Sequence, residues 1–371
     1  MNILFITNNF PPIVDGVGDY TYHLAKEFSS KGHNVFVVCR KNNIIKSIDN
    51  IKVYPIIDKW NSSAILPIIN IISDNSIDVV SLQYVPHAFQ KKGLPYKLIP
   101  ILHAINKRTN AKIFTFCHEV TVEAENFNLK RLLLSFLMSK ITKQVVKSST
   151  WVSTSIDYYK AMIEEMDASK KIITIPISSN VPSVNITDSE LHQLRSKIAP
   201  NNEIIVSFFG VRNITTSLKA IEMLIGEGYR IRPLLIGKTS KNNSVPESLN
   251  AYITGVLELN QIDKYFKITD IMILPESNSF GCSFKSGSLM AALRNSLLVV
   301  TSKGKATSLK LEHMENIVFT DFTNEQTIAS ALRILINSNQ IRTYIGQNAK
   351  IITNCFSWEN TYNDYIRICG Y

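Results

Sequence analysis

Short runs rich in Ile, Val, Leu and Phe alternate with amphipathic stretches along this chain, and the alternation starts afresh near residue 204. Unbroken apolar runs of strand length suit strands buried on both faces, and such strands need helices packed above and below. In the first half, strands are predicted at 3–6, 35–39, 79–83, 113–116, 151–155 and 172–175. Between the first two lies a helix over 20–30, with Tyr20, Leu24 and Phe28 at i, i+4 and i+8 and Gly32 as its stop. The second half repeats the rhythm with strands at 204–209, 233–236, 271–274 and 298–300 and a helix at 217–225. A late helix opens on a capping box of Thr323 and Gln326, with Ile328, Ala331, Leu332, Leu335 and Ile336 as its apolar face. A Ser-, Asn- and Pro-rich segment, 178–202, separates the halves. The expectation is an α/β protein of two doubly wound, Rossmann-like domains, 1–180 and 181–355, facing each other across a cleft where strand ends would hold a ligand.

A chain of 371 residues has the length for two cores, and 45% hydrophobic against 19% charged residues excludes disorder. Cys39, Cys117, Cys282, Cys355 and Cys369 are too sparse for a disulfide framework and show no zinc-ligand spacing, which fits a reducing compartment. The opening Met1 to Thr7 lacks the basic start of a signal peptide, and the longest apolar stretch, 64–72, contains Pro67 and Asn70. It is far short of the roughly 20 residues a membrane span needs, so a cytoplasmic chain is expected.

The formal charge is +10, and residues 91–150 alone carry 11 Lys and Arg against 3 Asp and Glu. Such a patch suits nucleic acid, anionic lipid or an acidic substrate. Residues 129–147, read as one helix, place Leu134, Leu137, Met138, Ile141 and Val145 on an inner stripe. The opposite line runs Leu129, Leu133, Phe136, Lys140, Lys143, Lys147, apolar and then basic. Two readings stay open: a face that meets an anionic membrane surface, or leucines packed on a neighbouring loop. Nucleic acid is not expected, because the patch lacks interleaved aromatics and any recognised motif.

Three places carry chemistry. In the loop 8–19, Gly16 and Gly18 stand where a helix begins, either as a backbone-lined ligand site with free amides or as a plain turn. His118 ends a buried-looking strand, as a ligand contact or a satisfied core histidine. In 280–289, Gly281 and Gly287 open the backbone so that amides from Cys282 through Ser283 to Ser288 could cradle phosphates beside Lys285. The plainer alternative is a loop ending in an N-capping Ser288.

Phe10-Pro11-Pro12 with Gly16-Val17-Gly18, Leu24-Ala25 and Lys31-Gly32-His33-Asn34-Val35 resemble the opening of the family 4 retaining glycosyltransferases of the GT-B fold. Further pieces follow in order over nearly the whole chain: Ser81-Leu82-Gln83-Tyr84, Thr115-Phe116-Cys117-His118-Glu119, Ser207-Phe208-Phe209-Gly210-Val211-Arg212, Ile253-Thr254-Gly255, Asp270-Ile271-Met272-Ile273-Leu274-Pro275 and Phe356-Ser357-Trp358-Glu359. The resemblance implies a GT-B fold whose last helix, 356–371, crosses back to the first domain, and transfer of a sugar from a nucleotide diphosphate, UDP- or GDP-linked, to a hydroxyl acceptor. It implies a donor site at Gly210, Arg212, Gly255, Glu276, Gly281, Cys282, Ser283, Lys285 and Ser288, with Arg212, Lys285 and His118 in catalytic roles. The acceptor, a lipid-linked or oligosaccharide chain, would sit near Gly16, Gly18, Tyr84 and His118. No metal or cofactor is implied, since preorganised cations and a helix N-terminus meet the charge on the leaving diphosphate.

The chain departs from the family where two glutamates are expected: those positions fall on Phe280 and Ser288. Glu276 supplies a carboxylate there only if the backbone bulges, and the family's second phosphate-binding lysine falls on Thr215 or Thr216. A non-catalytic GT-B chain that binds a nucleotide or steadies a partner transferase is the competing expectation.

Overall fold

A computed structural model describes residues 1–13, 15–41, 47–121, 129–238 and 244–371, with the backbone alone at Lys91. The chain divides into two compact units, Met1–Ile177 with Trp358–Tyr371, and Ser178–Ser357.

The first unit holds an eight-stranded sheet made of β1 (Asn2–Ile6), β2 (Asn34–Arg40), β3 (Ser47–Ile48), β4 (Ile51–Ile57), β5 (Val79–Tyr84), β6 (Lys112–Cys117), β7 (Trp151–Thr154) and β8 (Ile173–Thr174), in the order β3-β4-β2-β1-β5-β6-β7-β8. All pairs are parallel except β3 with β4. Every residue of β5 is buried, as a central parallel strand covered on both faces requires. Strand β4 was not among the expected strands, and Pro55 interrupts its apolar pattern. Among the described residues β3 pairs it at Ile51 and Lys52, and Pro55 is paired on one side, with Cys39 of β2.

Phe5, Phe28, Phe114 and Phe116 form the centre of this core. The helix Trp358–Cys369 completes it: Tyr365, fully buried, stacks on Phe114 at 4.2 Å between centroids, Lys31 Nζ meets Glu359 at 2.6 Å, and His33 Nε2 meets the Tyr362 hydroxyl at 2.8 Å.

The second unit has a six-stranded parallel sheet: β9 (Ile204–Phe209), β10 (Ile231–Ile236), β11 (Tyr252–Ile253), β12 (Ile271–Leu274), β13 (Val299–Thr301) and β14 (Val318–Phe319), ordered β11-β10-β9-β12-β13-β14. Its core runs from Val206 and Phe208 through Ile221 and Ile271 to Leu332. The late helix, Glu325–Asn337, is capped by Asn324, whose side chain accepts from the Gln326 amide. The expected cap, Thr323, instead gives its hydroxyl to Asp321 Oδ1 at 2.7 Å.

In both sheets the winding reverses beside the first strand: β1 lies between β2 and β5, and β9 lies between β10 and β12. Loops leaving the carboxyl ends of adjacent strands part there, which makes a crevice in each unit.

Candidate functional site

In the second unit the crevice opens between the ends of β9 and β12. Beyond Phe209 the chain turns at Gly210 with φ +84°, and Arg212 folds back so that Nη1 donates to the Phe209 carbonyl at 2.8 Å. A side chain at Gly210 would come within 2.9 Å of that guanidinium. Beyond Leu274 follow Pro275 and Glu276, and Glu276 Oε1 accepts from Arg212 Nη2 at 2.9 Å and Nε at 3.3 Å. Ser286 Oγ lies 3.3 Å from Nη2 and Ser288 Oγ 3.4 Å from Nη1. These contacts draw on Nε and on both terminal nitrogens of the guanidinium. The side chains of the ion pair are 17% and 31% exposed, shielded enough to strengthen the attraction yet open on one side.

That open side is a cavity of about 330 Å³, lined by the ion pair with Asn213, Thr216, Ser217, Ser277, Asn278 and Thr323, and by Pro275 and Phe322. The volume lies at the lower end of small-molecule sites. The lining is rich in hydroxyl and amide groups, with a single aromatic ring. Thr216 is one of the two positions on which the family's lysine falls by resemblance, and Arg212 is the sole cation among the lining residues.

The loop after β12 differs from the expected phosphate cradle. A Cβ on Gly281 would lie 2.2 Å from the Gly304 amide nitrogen, so this glycine serves backbone packing. The Gly281 amide donates to Ser277 O at 2.7 Å and the Cys282 amide to Ser302 O at 3.0 Å, which leaves neither for a ligand. Cys282 and Ser283 are buried, and burial pushes the Cys282 thiol up to about 12. The helix Gly287–Arg294 is capped by Ser286, not Ser288, because Ser286 Oγ accepts from the Leu289 amide. Among the described residues the first-turn amides of Gly287 and Ser288 have no acceptor. Lys285 lies with its ammonium 4.6 Å from the centre of the Phe280 ring, a cation–π contact. Gly255 sits beyond β11, bridged to Gly237, and does not line the cavity.

In the first unit the matching crevice follows β1, and Val14 of its loop lies outside the described residues. The first turn of the helix Gly16–Ser30 is mostly taken up: Asp15 caps it, its Oδ1 accepting from Val17 N at 3.1 Å and Gly18 N at 2.8 Å. Gly18 is required by packing, since a Cβ would meet the Asn9 carbonyl oxygen at 2.9 Å, whereas Gly16 has open space. One turn on, burial first and the Asp15 charge second raise the Asp19 carboxyl to about 6. Two carboxylates at this helix head disfavour an anion and favour hydroxyl donors.

His118 is buried between Tyr20 and Phe116, and its Nε2 meets Gln83 Oε1 at 3.0 Å. The Gln83 amide nitrogen donates to Ser81 Oγ, so Oε1 is left to accept and the Nε2 of His118 carries the proton. Tyr84, expected to meet an acceptor, is fully buried, with its hydroxyl on Thr142 Oγ1 at 3.0 Å and its pKa raised by that burial. Its place on an all-buried strand explains the difference.

The helix Leu129–Ser148 buries Met138, Thr142, Val145 and Val146, while Leu137, expected inside, is 39% exposed. Leu129 is 83% exposed, and Leu132, Leu133 and Phe136 are also exposed. Lys140 and Lys147 are exposed beyond them and Lys143 is half-buried, while Lys140 Nζ lies 5.2 Å from the centre of the Phe136 ring. Among the described residues no helix is long and apolar enough to cross a membrane, and no group of three His, Cys, Asp or Glu side chains could hold a metal.

Asn213 and Asn278 were not singled out from the sequence. The signal available was their place in the loops directly after β9 and β12.

No family model matches the chain, and no curated protein sequence matches it. Solved structures do. A glycosyltransferase from Rickettsia africae matches at 17% identity over 99% of this chain and 97% of its own, with a TM-score of 0.73. Sucrose-phosphate synthase from Thermosynechococcus elongatus matches at 12% identity over 99% and 98%, with a TM-score of 0.72. HepE of Anabaena, solved in complex with UDP, matches at 14% identity over 99% of each chain, with a TM-score of 0.71. Likeness at these identities is one of fold: the chain has the GT-B fold of two Rossmann-like domains, and its chemistry is argued from its own residues.

Proposed function

We propose that this chain is a glycosyltransferase that moves a sugar from a nucleotide diphosphate, UDP- or GDP-linked, to a hydroxyl of a lipid-linked saccharide in surface polysaccharide assembly. The observation that carries the reading is Arg212 in the wall of the cavity at the β9/β12 reversal, beside a helix head with two amides to offer. When the bond between the sugar and the diphosphate breaks, negative charge grows on the leaving phosphate, and a fixed guanidinium with peptide N–H groups lowers that barrier. Arg212 meets that charge in the cavity, so no metal or other cofactor is part of the proposal. Retention at the anomeric carbon rests on the resemblance, with the leaving phosphate taking the acceptor's proton. Asn213, Asn278 and Thr323 suit the hydroxyls of the ribose or the sugar.

The acceptor hydroxyl belongs to the first unit, where Asp15, Asp19 and His118 provide hydrogen-bonding groups and no cation. Work at the cytoplasmic face of a membrane is supported by the exposed Leu129, Leu132, Leu133 and Phe136 with Lys140, Lys143 and Lys147 on one helix. A thermal-shift series over UDP-, GDP-, ADP- and dTDP-sugars tests the donor: one base raises Tm, and silence from all four ends the reading. Co-sedimentation with anionic and neutral vesicles tests the membrane part, which equal binding to both, or none, refutes.

The second reading is a non-catalytic GT-B chain that binds a nucleotide. It is favoured by Glu276, which neutralises the cavity's one cation, and by Phe280 and Ser288 at the expected glutamate positions. Transfer of label from the donor that raises Tm decides between them.

A further inference from the structure

The cavity beside Arg212 has no net charge, since Glu276 cancels the only cation in its lining. That is an odd setting for a diphosphate carrying two or more negative charges. The geometry shows where the conflict lies. Arg212 gives one edge of its guanidinium, Nε with Nη2, to Glu276 Oε1, and it also donates to Phe209 O, Ser288 Oγ and Ser286 Oγ. None of Phe209, Ser286 and Ser288 lines the cavity, whereas Arg212 and Glu276 do. A ligand entering there therefore meets the edge that Glu276 holds. Side-on pairing of Nε and Nη2 with one oxygen is also how a guanidinium takes a phosphate oxygen. The Glu276 backbone is pinned, its carbonyl accepting from Ser302 Oγ at 2.7 Å, so only the side chain is free to yield.

We propose that Glu276 is a displaceable internal counter-ion. It keeps Arg212 aligned in the empty site and swings aside when a donor phosphate takes its place, so it sets donor affinity instead of touching the sugar. The proposal rests on the donor reading above. It explains how a partly buried arginine stays ordered without ligand, and it predicts weak binding, because like charges meet until the carboxylate leaves.

The test is calorimetric titration of UDP and of inorganic pyrophosphate, with EDTA present, into the wild-type chain, Glu276→Gln and Arg212→Gln. Gln keeps an oxygen to accept from Arg212 and removes the charge. The expected result is about tenfold or more tighter binding of both ligands by Glu276→Gln, and loss of binding by Arg212→Gln. Equal or weaker binding by Glu276→Gln at an unchanged Tm overturns the proposal and leaves the donor reading standing. Binding by the wild type that requires Mg²⁺, and that Glu276→Gln abolishes, also overturns it, by making Glu276 a ligand of a bridging cation. Should none of the chains bind any nucleoside diphosphate or pyrophosphate, the donor reading and this proposal fall together. If Glu276→Gln does not fold, Glu276→Asp, whose shorter arm holds the pair less closely, must show the same direction of change at smaller size.

Discussion

The two units open a crevice at the same topological position, past the first strand of a sheet that reverses its winding, and then line it in opposite ways. In the first unit the head of Gly16–Ser30 is closed by a carboxylate, with Asp19 beside it. In the second, the turn after β9 brings in Arg212, and the neighbouring head of Gly287–Arg294 is capped by a neutral hydroxyl with two amides left over. Topology makes a crevice in each case, and a few side chains decide its sign. The proposed transfer, from an anionic donor to a neutral hydroxyl, calls for that asymmetry.

The contrast is most easily broken at the glycines. Gly281→Ala forces a methyl into the Gly304 backbone at a residue with φ +77°, and is expected to cost about 3 kcal/mol or more. Gly16→Ala meets nothing within 4 Å and is expected to change stability by about 0.5 kcal/mol or less. Urea denaturation of both variants checks the pair; similar losses would mean that the two loops are packed alike.

Removing the arginine comes next. Arg212→Gln leaves Glu276 partly buried without its partner, and about 1–2 kcal/mol is expected, below the figure for a fully buried pair because both side chains are partly exposed. Donor binding in the thermal-shift assay should vanish with it. A variant that retains binding would move the donor site elsewhere.

The caps sharpen the comparison further. Asp15→Ala and Ser286→Ala each remove an N-cap, with an expected loss of about 1 kcal/mol. Only Ser286→Ala, which also loosens the Arg212 contact at 3.3 Å, should alter nucleotide affinity. If Asp15→Ala alters it equally, the assignment of the donor to the second unit fails.

The smallest effect is a slope. Asp19 has its carboxyl raised by burial from 3.8 to about 6, so between those values the folded chain holds a proton that the unfolded chain has released. Its contribution is present below pH 4 and is lost as pH rises toward 6 and beyond. Asp19→Asn should flatten Tm against pH over that window, and an unchanged slope would contradict the burial of this carboxyl.

Much of the scaffold was legible in advance, because a strand buried on both faces needs an unbroken apolar run and a covering helix needs a stripe. Strands β1, β5, β6, β9 and β12 lie within a residue or so of their expected places for that reason. The site was less legible. His118 and Arg212 stand just past strand ends, as their segments suggest, but Tyr84 has the same local pattern and turned inward onto Thr142. Thr323 is the expected cap of the late helix, and Ser288 a cap only in the plainer reading of its loop, because a hydroxyl near a helix start is a good local rule. The actual caps, Asn324 and Ser286, are decided by neighbours: Asp321 claims Thr323, and Ser286 sits under Leu289 N.

Read alone, the residues specify an α/β chain whose strand-and-helix rhythm starts afresh near residue 204, because hydrophobic periodicity is a property of each segment and survives without knowledge of any other. The union of Arg212 with Glu276, 64 positions apart, is not written in either loop. Nor is the contact of Gly281 with Gly304, or the return of Tyr365 to Phe114. Those depend on which strands become neighbours and on distances of a few ångströms, and Coulomb attraction and close packing act over such distances only after the chain has folded.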